Sequence, residues 1–250
     1  MKKLLEYIWL ECKVEFRVPI AIFFTLFFPI LLLAVLVIST ENKVISGQIH
    51  FVDIYLPIMM LLSLMSSGII SFSVIVAGNR GRKIWQMYRL RGFKLYQIIL
   101  SQLFVNILIS FISQILLLIF AKVIFNARIP KTMDLLFFLM IWSIIAVSIF
   151  LIGFVLGVCC KNEKNAQAIS TPFLFILMIL SGIMLEENRL PKDLQSFVSY
   201  LPTNQANRIF VSAWNATTNR EISWIIIIVW VILSLSFVIW KLYRDDFRRI

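Results

Sequence analysis

Six stretches of the chain contain no Asp, Glu, Lys, Arg or His and are dominated by Leu, Ile, Val, Phe and Met. They run approximately Pro19 to Ile38, Ile54 to Ala77, Leu95 to Ala121, Leu135 to Cys160, Ala168 to Leu185 and Ile222 to Trp240. At about 1.5 Å of rise per helical residue, each is long enough to cross ~30 Å of hydrocarbon. The pattern predicts an all-α membrane protein with six transmembrane helices at 19–38, 54–77, 95–121, 135–160, 168–185 and 222–240. These lie in a single transmembrane domain over 1–250, with no internal repeat and no loop long enough to fold alone.

Ahead of the first span the periodicity changes. Leu4, Leu5, Ile8, Trp9, Cys12 and Phe16 fall on one helical face, and Lys2, Lys3, Glu6, Lys13 and Arg17 on the other. That pattern predicts an amphipathic interfacial helix over 1–18, turning into the bilayer at Pro19, where a helix's first turn needs no N–H. The charges at 2–15 break any signal-peptide core, so this start is expected to stay in the mature protein.

The fifth apolar run is broken by Pro172 and Ser181-Gly182. A polar, proline-marked segment over 186–206 follows it before the last span. Backbone that returns toward hydrocarbon is tolerated only where protein or a water-filled cavity covers it, so the segment points to a conduit rather than an anchor.

Composition narrows the class. Of 250 residues, 60% are hydrophobic and 15% charged, with a mean hydropathy of +0.92, which excludes an ordinary soluble domain. The net charge of +11 suggests nucleic acid only until it is read by position. The 78–94 loop carries Arg80, Arg82, Lys83, Arg89, Arg91 and Lys94 without an acid, and Lys2, Lys3, Lys161, Lys164, Lys241 and Arg244 fall on the same side of a six-span arrangement. Short basic loops stay in the cytoplasm, so both termini are expected there, in a multi-pass plasma-membrane protein with lipid and no nucleic acid as its surroundings. Trp224 and Trp240 bracket the last span in the manner of interfacial anchors. Cys12, Cys159 and Cys160 then face a reducing compartment, and the lone His50 has no partners at metal-ligand spacing, so neither a disulfide nor a metal site is expected.

Catalytic signatures are missing. No GxxxxGK[ST], HExxH or GxSxG occurs, and Gly78-Asn79-Arg80-Gly81-Arg82-Lys83 lacks phosphate-loop spacing. The chain is therefore expected not to be an enzyme. The span interiors carry no ionisable residue, which weighs against an ion-driven carrier. Their polar residues are patterned instead: Gln102, Asn106, Ser110 and Gln114 recur every four positions on the third span, and Ser63, Ser67 and Ser71 on the second. The serines suit interhelical packing. The third-span stripe fits a translocation path and packing equally. In the 78–94 loop, Ile84, Met87, Tyr88 and Arg91 share a helical face, which suits either a groove on a cytoplasmic partner or anionic lipid.

Together these residues resemble the membrane subunit of ABC-2 type exporters over nearly the whole chain. The match is carried by Arg17-Val18-Pro19 at the end of the connecting helix and by the 78–94 loop at the coupling-helix position. It is also carried by Ala166-Gln167-Ala168 through Pro172, by Leu180-Ser181-Gly182, and by Leu190-Pro191 with Tyr200-Leu201-Pro202 in the fifth span and its external re-entrant helices. The resemblance implies two permease subunits, as a homodimer, with two copies of a P-loop ATPase that holds ATP and Mg, and no cofactor on this chain. It implies coupling contacts on Arg82, Ile84, Trp85, Met87, Tyr88 and Arg91, and an external gate at Ser181, Gly182, Leu190, Pro191, Tyr200 and Pro202. One departure is the acidic E-R-E-like string of the family, replaced here by Asn79, Arg80 and Gly81. The expected substrate is hydrophobic or amphipathic, foremost a peptide such as a bacteriocin or peptide toxin. A drug, lipid or glycan, or an ATP-independent channel or carrier, is the alternative.

Overall fold

A computed structural model describes residues 23–46, 49–130, 132–184, 191–215 and 221–247. The interfacial helix expected over 1–18, and Leu190, lie outside the described residues.

The first apolar run begins with a π-turn, Phe23–Phe27, and continues as α1 (Phe28–Ser39). A small antiparallel hairpin, β1 (Val44–Ser46) with β2 (Ile49–His50), leads into α2 (Phe51–Met65). A second π-segment, Ser66–Phe72, joins α2 to α3 (Ser73–Gly81), so one continuous helical rod runs from Phe51 to Gly81. Then come α4 (Ile84–Leu90), α5 (Leu95–Phe125), α6 (Thr132–Cys159), α7 (Glu163–Leu180), α8 (Lys192–Val198), α9 (Pro202–Trp214) and α10 (Glu221–Phe247). Helices dominate because hydrocarbon offers no partner for backbone N–H and C=O groups, and a helix satisfies both internally.

Three helices are long and apolar enough by themselves to cross a membrane: Phe51–Gly81, Leu95–Phe125 and Asp134–Cys159. Phe23–Ser39 and Ile225–Trp240 are shorter apolar helices. Several helices overrun the apolar runs. The second-span helix takes in Asp53 and Arg80, and the third reaches Phe125 past the exposed Lys122. The fifth starts at Glu163 and stops before Ser181, and the segment expected to close at Ala206 continues helically to Trp214. The local reasons are polar caps. Asp53 Oδ2 accepts the His50 N–H at 3.0 Å to start α2, and Asn162 Oδ1 accepts the Asn165 N–H at 2.9 Å to start α7. Asn126 in the left-handed region (φ 54°) ends α5, and Lys83 (φ 58°) separates α3 from α4.

The rod from Phe51 to Gly81 forms the centre of the bundle, and α6 presses most closely on it. Contact there is backbone to backbone: a Cβ on Gly153 would overlap the Gly68 carbonyl oxygen, and one on Gly157 would sit 2.7 Å from that of Ser73. Gly153 and Gly157 are four apart on α6, the small-xxx-small spacing that lets membrane helices approach closely. Phe72, Phe150 and Phe154 fill the space beside them, with Phe72 edge-on to Phe150 at 5.3 Å between ring centroids.

Candidate functional site

At the basic end of the bundle, α4 lies against the inner helices through one anchor. Trp85 is 8% exposed and stacks on Phe154 of α6, with ring centroids 6.2 Å apart and an interplanar angle of 10°. Tyr88 is half-buried and edge-on to Phe93 at 5.9 Å. Ile84 is half-buried, whereas Arg82 and Arg91 are exposed. Met87 and Leu90 point outward, at 55% and 89% exposure. The face shared by Ile84, Met87, Tyr88 and Arg91 is thus mixed, with Met87 and Arg91 exposed and Ile84 and Tyr88 half-buried, while Trp85 is turned into the bundle. The loop is tied down by two arginines: Arg80 donates to the Val158 carbonyl at the end of α6, and Arg82 Nη2 pairs with Glu163 at 2.7 Å. Glu163 therefore places an acid beside the helix that Asn79, Arg80 and Gly81 do not supply.

In the middle of the bundle a polar knot joins three helices. Pro29 has no N–H to give the Thr25 carbonyl four residues back, and the chain there widens into the first π-turn. That carbonyl receives the hydroxyls of Ser63 on α2 at 2.8 Å and Ser113 on α5 at 2.7 Å. The two serine oxygens lie 2.7 Å apart, and Thr25 Oγ1 lies 3.2 Å from Ser71 Oγ in the second π-segment. Ser113 escaped the sequence reading because it stands one position off the four-residue stripe. Its only signal is its neighbour Gln114. Interhelical hydrogen bonds in membranes contribute about 0.6 kcal/mol on average and at most about 1.7. Ser63→Ala with Ser113→Ala is therefore expected to cost roughly 1–3 kcal/mol, read as a lower midpoint in a detergent unfolding titration.

The stripe on α5 is enclosed: Gln102, Asn106, Ser110 and Gln114 are 0%, 1%, 0% and 3% exposed. Gln114 Nε2 donates to the Met60 carbonyl of α2 at 2.9 Å, and Asn106 Nδ2 to the Gln102 carbonyl at 3.0 Å. Among the described residues Asn106 Oδ1, Ser110 Oγ and Gln114 Oε1 have no protein partner. The cause is general: neighbouring helices have spent their N–H groups internally and offer only carbonyls, so amide nitrogens find partners and amide oxygens do not. The stripe thus faces the interior of the protomer, toward α2.

At the opposite end α7 stops at Ser181, with Gly182 at φ 78°. Its last carbonyls are received by α9. Asn207 Nδ2 donates to Ser181 O at 2.9 Å and Asn204 Nδ2 approaches Leu180 O at 3.5 Å. Pro191 precedes α8 and the buried Pro202 opens α9, each where a missing N–H is harmless. Tyr200 is 68% exposed, but its carbonyl accepts Trp230 Nε1–H of α10 at 3.1 Å. Ser181, Gly182, Tyr200 and Pro202 therefore gather around α9. The ties are made by Asn204, Asn207 and Trp230, which no spacing in the sequence singles out.

Asp53 is a further polar tie that the apolar pattern does not mark. The carboxylate is 4% exposed in the first turn of α2, one residue ahead of the apolar run. The helix starts three residues before the apolar run, because Asp53 caps it and its other oxygen accepts the Arg128 N–H at 2.7 Å. Asp53 thus joins the connection after α5 to the head of α2.

Among the described residues no three His, Cys, Asp or Glu side chains gather to hold a metal ion. Most of the polar ties described lie between helices, where they serve packing. These features define an all-helical membrane protein. Residues 38–241 match the family model described as ABC-2 family transporter protein, and the chain belongs to that family. The match takes in α4, the α5 stripe and the helices after α7. The chain is thus the permease subunit of a transporter, and membership implies an ABC transporter with an ATPase partner. No curated protein matches it.

Proposed function

We propose that the chain forms the translocation path of an ATP-driven exporter, with six spans, both termini in the cytoplasm and two copies enclosing the path. Two partner ATPases bind ATP and Mg and dock on α4. The observation that carries this reading is the two-sided character of α4: Met87 and Leu90 are offered outward among arginines, while Trp85 is stacked on Phe154 of the central bundle. A helix lying on lipid alone would have no reason to send its largest ring into the protein. The arrangement suits a lever whose outer face is pushed and whose inner ring moves α6.

The external gate in this reading is the group around Ser181, Gly182, Tyr200 and Pro202, with Pro191 ahead of α8. The α5 stripe then serves as a polar lock between α5 and α2. Its three unmatched oxygens become available to water or to a substrate's N–H groups when the two helices part. An amphipathic peptide suits the aromatic surface of the first span: Phe24 and Phe28 meet Phe175 of α7 at 6.5 and 6.4 Å, and Phe23 and Phe27 stand exposed beside them.

The docking surface is tested by replacing Met87 and Leu90 with Asp and co-expressing the chain with its cognate P-loop ATPase. Apolar anchors at the centre of an interface commonly contribute 2 kcal/mol or more, so at least a roughly tenfold loss of co-purified ATPase is expected. Unchanged recovery would place the interface elsewhere.

A further inference from the structure

At the basic end, the last turn of α3 and the first turn of α7 enclose an open cleft of about 580 Å³, lined by Gly78, Gly81, Arg82, Lys161, Glu163 and Lys164. The two glycines let its walls approach. A Cβ on Gly78 would strike the Glu163 carboxylate, and one on Gly81 would sit 2.9 Å from the Lys161 carbonyl oxygen. Glu163 is committed to Arg82, whose Nη2 lies 2.7 and 2.8 Å from its two oxygens. Lys161 and Lys164 are both exposed, and among the described residues neither has a carboxylate within ion-pair distance. The cleft is therefore positive, and the N-terminus of α7 adds its partial charge of the same sign.

What could occupy it is decided by the surface alongside. Lys164, Ala168, Pro172 and Ile176 recur every four residues and are all exposed, so the cleft opens onto a continuous apolar face of α7. Free phosphate would use the cations and leave that face idle. A phospholipid would use both. We infer that this cleft binds the phosphate of an anionic phospholipid, with its acyl chains along the α7 face. The lipid then sits on the joint between the α3–α4 corner and α7, next to the Arg82–Glu163 pair, so the charge of the surrounding leaflet tunes the strength of that tie. The inference rests on reading this end as a membrane boundary and requires no ATPase.

Native mass spectrometry of the chain alone in detergent tests it, with phosphatidylglycerol, phosphatidylcholine and inorganic phosphate as probes. Each basic residue near a membrane surface contributes about a fivefold preference for anionic lipid. Phosphatidylglycerol is therefore expected to be retained at least roughly tenfold over phosphatidylcholine. Lys161→Gln with Lys164→Gln should bring the two level, and the double Arg variant should restore the difference. A preference that survives the double Gln variant overturns the assignment. So does displacement of phosphatidylglycerol by millimolar phosphate, which would make the site one for a free anion. Because no ATPase is present, either failure leaves the exporter reading to its own test.

Discussion

Gly153→Ala is expected to abolish accumulation of folded protein in the membrane. The added methyl would overlap the carbonyl oxygen of Gly68, a backbone atom in the middle of the central rod that cannot swing aside as a side chain would. Overpacking of a core commonly costs 1–3 kcal/mol where side chains can adjust. Here the two helices must separate along their closest contact, so a loss above about 3 kcal/mol is expected, a large part of a typical folding stability. The measurement is the monodisperse fraction of detergent-solubilised protein by fluorescence size-exclusion chromatography. Gly157→Ala, whose Cβ would meet Ser73 O at 2.7 Å, should produce a milder loss. Equal, undiminished recovery of both would mean that α6 does not approach the rod this closely.

The second large effect belongs to Trp85. Trp85→Ala removes a ring that is 8% exposed and stacked on Phe154, and truncations of buried aromatic residues cost about 3–5 kcal/mol in cores. Near the end of a bundle the low part of that range applies. If α4 is a lever, this variant should still retain its ATPase, because Met87 and Leu90 are untouched, but lose at least roughly tenfold in transport per ATP hydrolysed. Trp85→Phe should recover most of the loss, since a flat ring can still stack on Phe154. The contrast with the Met87 and Leu90 pair is the informative part: one variant docks without transmitting, the other does not dock. A Trp85→Ala variant that transports normally would assign Trp85 to packing alone.

How much of this was legible beforehand follows from what hydrocarbon does to sequence patterns. The apolar runs located the long helices to within a few residues, because span length is set by bilayer thickness. The break at Ser181-Gly182 was legible because Gly accepts φ 78°, which other residues resist. Which face of each helix turns inward was not. A span is apolar all round, so periodicity loses its direction, and in α4 seven residues could not show that Trp85 faces in while Met87 faces out. In α9 the usual reading inverts, since Thr203, Asn204 and Gln205 are all buried, and the side-chain amide nitrogens of Asn204 and Gln205 find carbonyls within the protein. The Thr25 knot was hidden for a different reason. Pro29 announces a carbonyl without its N–H donor, but only the fold shows that Ser63 and Ser113 come from two other helices to receive it. Asp53 stands one residue outside the apolar run, where hydrophobicity gives no sign that a helix has already begun.

ATP-driven export of an amphipathic peptide through this permease, as proposed, is read out by comparative mass spectrometry of culture medium and cells. Three strains are compared: one with the intact permease and ATPase, one lacking this chain, and one whose ATPase carries a Lys→Ala change in its phosphate loop. The expected result is a peptide that leaves the first strain and is retained in the cells of the other two. Release that persists with the inactive ATPase and stops only when this chain is deleted would contradict it and make the chain an ATP-independent channel.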